Sequence, residues 1–319
     1  MHIDRHLDAI RACRFCFMCR HLDPVGNVSF READTPRGRA LIADRFRMNP
    51  ANLGNADFVE TFYRSALSGA NRFHCVSHYD ELGLVLAARR DIVEAGFAPA
   101  RVQALAQTLE QAVFSVKGRG PLLYFGSCPS LYSDAATLTG GDPGAALAAL
   151  GFADAAERVF ARFRQTVADA ACRTLVVAEP SAYAFLNGRL DGITVIHCAE
   201  HLLAATLKTV RGRKAVYLES DFLKNYCGHP PAPRELLRKA GYTLAPFGTN
   251  NEESYAVGEG AVVFDAINPE LCAKLCARVY ALAAGLDKTL FVTASQAVKD
   301  ALTKYNPSFN VVTLEEAVS

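Results

Sequence analysis

Three cysteines at two-residue intervals constrain this chain more than any other feature: Cys13, Cys16 and Cys19 in CRFCFMCRHLDP, with Pro24 closing the run. Iron–sulfur ligation uses the run C-x2-C-x2-C-x3-C-P, because thiolates at that spacing wrap one face of a cubane and the proline turns the chain away. Asp23 stands where the fourth cysteine belongs. The spacing therefore predicts an iron–sulfur site that lacks one local ligand. A zinc knuckle and a metal-free cysteine-rich helix are the alternatives. Zinc sites more often pair one C-x2-C element with a distant second. Downstream, Thr35-Pro36 reads as a helix N-cap followed by proline at the first helical position. Arg14, Arg20, Arg37 and Arg39 either offset an anionic cluster or line a solvated face.

A second run supplies a candidate for the missing ligand. Ser65, Ser68, Asn71 and Cys75 repeat the x2, x2, x3 spacing, with three ligands replaced by small polar residues. In two-cluster ferredoxins the fourth cysteine of each run ligates the other cluster. By that exchange, one cluster takes Cys13, Cys16, Cys19 and Cys75, and the other would take Ser65, Ser68, Asn71 and Asp23. The first set is complete and the second is wholly lost. The sequence thus predicts one [4Fe–4S] cluster and one abolished site. The alternative for Cys75 is a buried free thiol. His74 and His78 flank it, as hydrogen-bond donors to sulfide or as exposed loop residues. Leu82, Val85, Leu86, Ile92 and Val93 then recur at helical spacing until Gly96 and Pro99.

The chain carries ten cysteines, so redox compartment matters. Residues 1–20 lack the apolar core of a signal peptide, which predicts reduced thiols in the cytoplasm. A net charge of +1 gives no reason to expect nucleic acid or an anionic membrane as partner. No apolar run is long enough for a transmembrane helix, so any membrane association is expected to be peripheral, through a partner.

From Gly120 the pattern becomes α/β and repeats itself once, read as domain duplication. Residues 122–135 resemble 215–228, 174–186 resemble 289–302, and 193–202 resemble 309–318. Leu150-Gly151-Phe152 and Ala240-Gly241-Tyr242 both read as helix ends with a glycine cap. Short Val/Ile/Leu-rich runs between helices predict buried parallel strands. Function in such layers sits on loops at the carboxyl ends of strands. Cys128, Glu179, Asp221, Cys227 and His229 would line a cleft between the repeats if these loops converge. Cys272 and Cys276, four apart on one helix face, read as core, and Cys172, Cys198 and Cys227 as structural.

CRFCFMCRHLDP with TPRGRA, YRSALSGANRFHC with AARRDIVEAG, and the duplicated pattern with YFGSC, VIHCAEHL and VGEGAVVF together resemble one family. It is that of the glycolate oxidase iron–sulfur protein and the heterodisulfide reductase D group, with two cysteine-rich CCG domains. The resemblance implies an α-helical ferredoxin-like domain over residues 1–115 and two CCG-like α/β repeats over 116–212 and 213–319. It implies an electron-transfer subunit of an oxidoreductase complex, passing electrons from a flavoprotein dehydrogenase partner to a further acceptor. The chain departs from the family in its repeats. Ala256 and Val257 precede Gly258 where the CCG motif lies. Glu179 with Ala182, and Ser295 with Val298, replace the two C-x2-C pairs, Asp221 replaces another cysteine, and only Cys128 survives. The disulfide-reducing chemistry of that motif is therefore not expected. A scaffold with a structural or redox-sensing cluster, and an enzyme using the inter-repeat cleft, are the other readings.

Overall fold

The computed structural model describes residues 1–205, 209–210, 212–286 and 288–319. Six helices come first: α1 (Leu7–Cys13), α2 (Pro24–Ser29), α3 (Pro36–Met48), α4 (Ala56–Tyr63), α5 (Glu81–Glu94) and α6 (Ala100–Glu110). Their starts follow from local chemistry. Asp23 accepts the Val25 and Gly26 N–H groups at 3.0 and 2.9 Å, and Pro24 opens α2. Thr35 caps α3 through the Gly38 N–H at 3.3 Å, with Pro36 at the first position as the sequence predicts. Asp80 caps α5 through the Gly83 N–H at 3.0 Å. Such caps satisfy N–H groups that have no partner inside the helix.

Two sheets follow. The first contains β1 (Phe114–Lys117), β2 (Leu122–Phe125), β3 (Ala135–Gly140), β4 (Thr174–Val177) and β5 (Thr194–His197). Around it lie α7 (Ala145–Leu150), α8 (Ala153–Asp169), α9 (Pro180–Leu186) and α10 (Cys198–Ala204). The second contains β6 (Lys214–Leu218), β7 (Thr243–Leu244), β8 (Leu290–Thr293) and β9 (Val311–Thr313). Its helices are α11 (Ala232–Lys239), α12 (Phe264–Ile267), α13 (Pro269–Leu282), α14 (Gln296–Tyr305) and α15 (Leu314–Val318). The chain is therefore mixed α/β with parallel sheets. Strand order is β1-β3-β2-β4-β5 in one sheet and β7-β6-β8-β9 in the other, parallel except for the β1–β3 pair. The expected boundary after residue 115 falls inside β1, so the first sheet begins two residues earlier.

Register aligns the two sheets residue by residue. Tyr124 lies opposite Val176, which lies opposite Ile196. Tyr217 lies opposite Val292, which lies opposite Val312. Tyr124 and Tyr217 are thus equivalent. So are Glu179 and Ser295, the N-cap positions of α9 and α14, and so are Ala199 and Glu315.

The hydrophobic core ignores the sequence boundaries. Along β6, Val216 and Leu218 pack with the N-terminal helices, while Ala215 and Tyr217 pack with the first sheet. Phe291 and Val292 of β8 divide the same way. Successive strand residues face opposite sides, so one sheet serves two cores. The second repeat is a shared wall between the helical region and the first repeat.

Candidate metal centre

Beyond α1 the chain makes a series of tight turns. The Cys16 N–H bonds the Cys13 carbonyl at 3.1 Å, and the Leu22 N–H bonds the Cys19 carbonyl at 3.0 Å. These turns carry the three cysteines, with Cys16 exposed and Cys13 and Cys19 half-buried. Cys75 reaches the same place from a turn before α5, whose Cys75 N–H bonds the Arg72 carbonyl at 3.4 Å. His21 and His74, one from each segment, meet edge to face with ring centroids 5.0 Å apart.

Burial pushes the Cys13 thiol up to about 12, and Glu81, Cys75 and Cys16 add to the rise. Burial likewise raises Cys19 to about 12, helped by Glu81, Cys13, Cys75 and Cys16. Cys75 and Cys16 therefore lie within charge range of both Cys13 and Cys19. Cys16 is exposed and the others half-buried, and none forms a disulfide. Among the described residues, no three of these thiols close around one point as ligands of a single ion do. A tetrahedral zinc site brings its sulfurs to about 3.8 Å of one another. A cubane places a metal–sulfide edge between each pair of thiolates and needs wider spacing. Four thiols from two segments are the donors a cubane would require, and a single ion would need them drawn closer together.

The four polar residues of the abolished site are all buried. Arg39 lies beside two of them, bonding Asp23 directly and reaching Asn71 through Glu81. Its Nη2 donates to Asp23 Oδ2 at 2.6 Å, its Nε to Glu81 Oε1 at 2.7 Å, and its Nη1 to the Asp34 carbonyl at 2.8 Å. Asn71 donates to the other Glu81 oxygen at 3.0 Å. Burial opposes the Arg39 charge, but Glu81 and Asp23 outweigh it and hold its pKa above the ordinary value. Ser65 and Ser68 turn inward on their own loop, accepting the Leu67 and Ala70 N–H groups at 3.3 Å each.

The arginines expected to face the cluster are mostly engaged elsewhere. Arg14 pairs with Asp44, while Arg20 and Arg37 both face Glu32, at 3.3 and 3.8 Å. Sequence reading missed Glu81 and the role of Arg39, because a buried ion pair leaves no periodic trace.

The emptied loop is also the seat of the second repeat. Asn225 donates to the Ser68 carbonyl at 2.7 Å and Tyr226 to the Leu67 carbonyl at 2.5 Å, both from a π turn, Phe222–Tyr226, that follows β6. A β-carbon on Gly260 would stand 2.0 Å from the Leu67 carbonyl oxygen, so only glycine fits there. Arg89, fully buried in α5, donates to the carbonyls of Phe62, Ser65 and Ala149 at 2.6 to 3.1 Å. It ties the ends of α4 and α7 together. With no carboxylate beside it, burial pulls its pKa down to about 10.

The five residues expected in the inter-repeat cleft lie around three buried carboxylates, Glu315, Glu259 and Glu219, with Glu179 in charge range of Glu259. Cys128 lies by Glu315, whose carboxylate accepts Tyr124 Oη at 2.9 and 3.0 Å and Tyr132 Oη at 2.6 Å. Asp221 and Cys227 lie near buried Glu259, which accepts Ser220 Oγ at 2.8 Å and the Asp221 N–H at 2.5 Å. His229 sits 3.4 Å from Glu219, which Arg234 also holds. Asp221 Oδ1 and Tyr217 Oη are buried without partners. The orphaned tyrosine has a simple cause. Its counterpart Tyr124 bonds Glu315, whereas the residue equivalent to Glu315 in the first repeat is Ala199. Glu259, between two glycines, and Glu315 were both missed in the sequence.

Glu179 remains a true joint between the repeats. It accepts Ser295 Oγ at 2.5 Å and the Gln296 N–H at 2.9 Å, bridging the two equivalent N-cap positions. A cavity of about 100 Å3 adjoins it, lined also by Cys198 and Glu315. Burial pushes the Glu179 carboxyl up to about 7, against the pull of those two hydrogen bonds. The folded state therefore holds this proton more tightly than the unfolded chain, whose carboxyl titrates near 4.5. Stability from this group is fully present below pH 4.5 and is lost as pH rises to about 7. Glu179→Gln is expected to flatten that part of the pH–stability curve, read as thermal midpoints between pH 4.5 and 8. An unchanged slope would place the titrating group elsewhere.

Cys272 and Cys276 are fully buried on α13, as expected of core thiols. Among the described residues, no helix is long and apolar enough to cross a membrane. Compared with protein-family models, with curated proteins and with solved structures, the chain matches none.

Proposed function

We propose that Cys13, Cys16, Cys19 and Cys75 hold one [4Fe–4S] cluster and that the chain is an electron-transfer subunit. The observation that carries this is the meeting of Cys75 with the C-x2-C-x2-C rim, more than fifty residues away in sequence, while the exchanged set is plugged by Arg39. Such a group, when bound, supplies reversible one-electron transfer, with a potential set by charge, hydrogen bonding and burial. The four thiolates anchor it, and half-burial of three of them limits water at its inner side. Glu81 places negative charge behind Cys13 and Cys19, and Arg39 balances that charge from the far side.

The finer architecture belongs to the same reading: a helical ferredoxin-like domain and two CCG-like repeats, as in the glycolate oxidase iron–sulfur protein and the heterodisulfide reductase D group. The matching strand orders support it. A flavoprotein dehydrogenase is the partner that the reading implies, in the cytoplasm, where thiols stay reduced. A scaffold role is the second reading. It is favoured by the second repeat serving as a wall to both neighbours.

The test is iron and acid-labile sulfide per chain after anaerobic purification, with an EPR spectrum after dithionite reduction. About four of each and a reduced-cubane signal are expected. About eight would mean that the Arg39-filled site also binds. Zinc alone, or no metal, would defeat the electron-transfer reading and leave the scaffold.

A further inference from the structure

Exposed apolar side chains are concentrated around the four thiols. Among the described residues twelve large apolar side chains are exposed, and six of them are Phe15, Phe17, Met18, Phe30, Phe73 and Val76. Phe30 is 84% exposed and Val76 83%. Phe17, Met18 and Phe30 wall a groove of about 480 Å3 with His21, and His21 packs on His74 between Phe73 and Val76. Folding alone gives no reason to leave them in water, and patches of this kind mark interaction sites.

Charge narrows the occupant. Residues 13–31 and 72–79 carry four arginines, three histidines and one carboxylate, Asp23, buried against Arg39; two further carboxylates reach this face, Glu32 against Arg20 and Glu252 against His74 at 3.4 Å. Arg20 faces Glu32, but Arg31 and Arg72 form no ion pair among the described residues. Residues 1–116 contain no lysine at all. Aromatic residues, methionine and arginine without lysine are the composition of protein interface cores. Arginine also matches carboxylates with two parallel hydrogen bonds. A bilayer would meet a convex apolar face, whereas here the side chains wall a concave groove.

We propose that this face docks an electron-transfer protein whose surface presents an apolar side chain ringed by carboxylates. The proposal rests on the cluster reading above and names the partner chemistry of that site. The apolar side chain enters the Phe17–Met18–Phe30 groove, and Arg31 and Arg72 meet the acidic ring. Exposed Cys16 then lies under the contact.

The experiment mixes anaerobic chain with reduced flavodoxin, an acidic one-electron donor, and follows bleaching of cluster absorbance. One electron leaves the donor and one enters the cluster. The rate is expected to fall at least tenfold from low to high salt, because opposite charges steer the encounter. Phe30→Asn and Arg31→Glu lie outside both cysteine runs, and asparagine suits the left-handed backbone at position 30 (φ 56°). Each is expected to slow the reaction about tenfold with iron content unchanged. A rate indifferent to salt and to both substitutions overturns the proposal. So does sedimentation of the wild-type chain, but not of Phe30→Asn, with phosphatidylserine vesicles, which would assign the face to a membrane. A wild-type chain without iron defeats the underlying reading as well, and the iron assay identifies that case separately.

Discussion

Arg39→Met is expected to cost about 3–5 kcal/mol of folding stability, because it leaves two buried carboxylates, Asp23 and Glu81, without their counter-charge. The arginine is 2% exposed, so water cannot replace it. It also joins three places in the chain: the cap of α2, the turn before α3 and the first residue of α5. Urea unfolding at neutral pH reads the loss. The deficit should shrink in acid, since an unpaired buried carboxylate takes up a proton more readily. Combining Arg39→Met with Asp23→Asn and Glu81→Gln should recover much of the stability, because removing a whole buried ion network is far less costly than removing one member. A loss under about 1 kcal/mol for the single variant would mean that the network is open to water.

Cys75→Ala should release most of the iron and sulfide. Three thiolates on one rim leave a corner of a cubane unligated, and a site closed by a distant segment loses that closure entirely. Metal binding and folding are coupled in small metal domains, so the His21–His74 contact and the N-terminal turns should loosen together. Hydrogen exchange over residues 13–22 reads that loosening. Cys128→Ala, in the first sheet's loop by Glu315, is the matching control and should keep its iron. Full iron in Cys75→Ala would mean that another group supplies the fourth bond.

Much of this molecule was legible because its signals are local or periodic. Asp23-Pro24, Thr35-Pro36 and Asp80 begin helices through hydrogen bonds within three residues, and Gly151 and Gly241 adopt positive φ after helix ends. Parallel strands showed as short β-branched runs. The grouping of Cys75 with the first three cysteines followed from a ligand-exchange rule rather than from distance along the chain. Interactions specified by geometry alone were not legible. Nothing in the composition of α3 says that Arg39 turns inward while Arg37 stays near solvent. Nor does the sequence show that Val216 and Tyr217, adjacent in one strand, belong to different cores. The loops read as an inter-repeat cleft do come together, but the sequence did not show the buried carboxylates they gather around, nor the partners of those carboxylates, Tyr124 for Glu315 and Ser220 for Glu259.

The plugging of the abolished site has a kinetic consequence. Two-cluster chains can take charge in at one end and hand it on at the other, so donor and acceptor bind at once. Here a salt-bridged guanidinium and the packed loop 65–70 occupy the second set of ligand positions, so the proposed cluster would have no neighbour to hand charge to. On the cluster reading proposed above, an electron held there would enter and leave by the same exposed face. Donor and acceptor must use it in turn, each displacing the other, so an excess of either should act as a competitive brake on steady-state turnover.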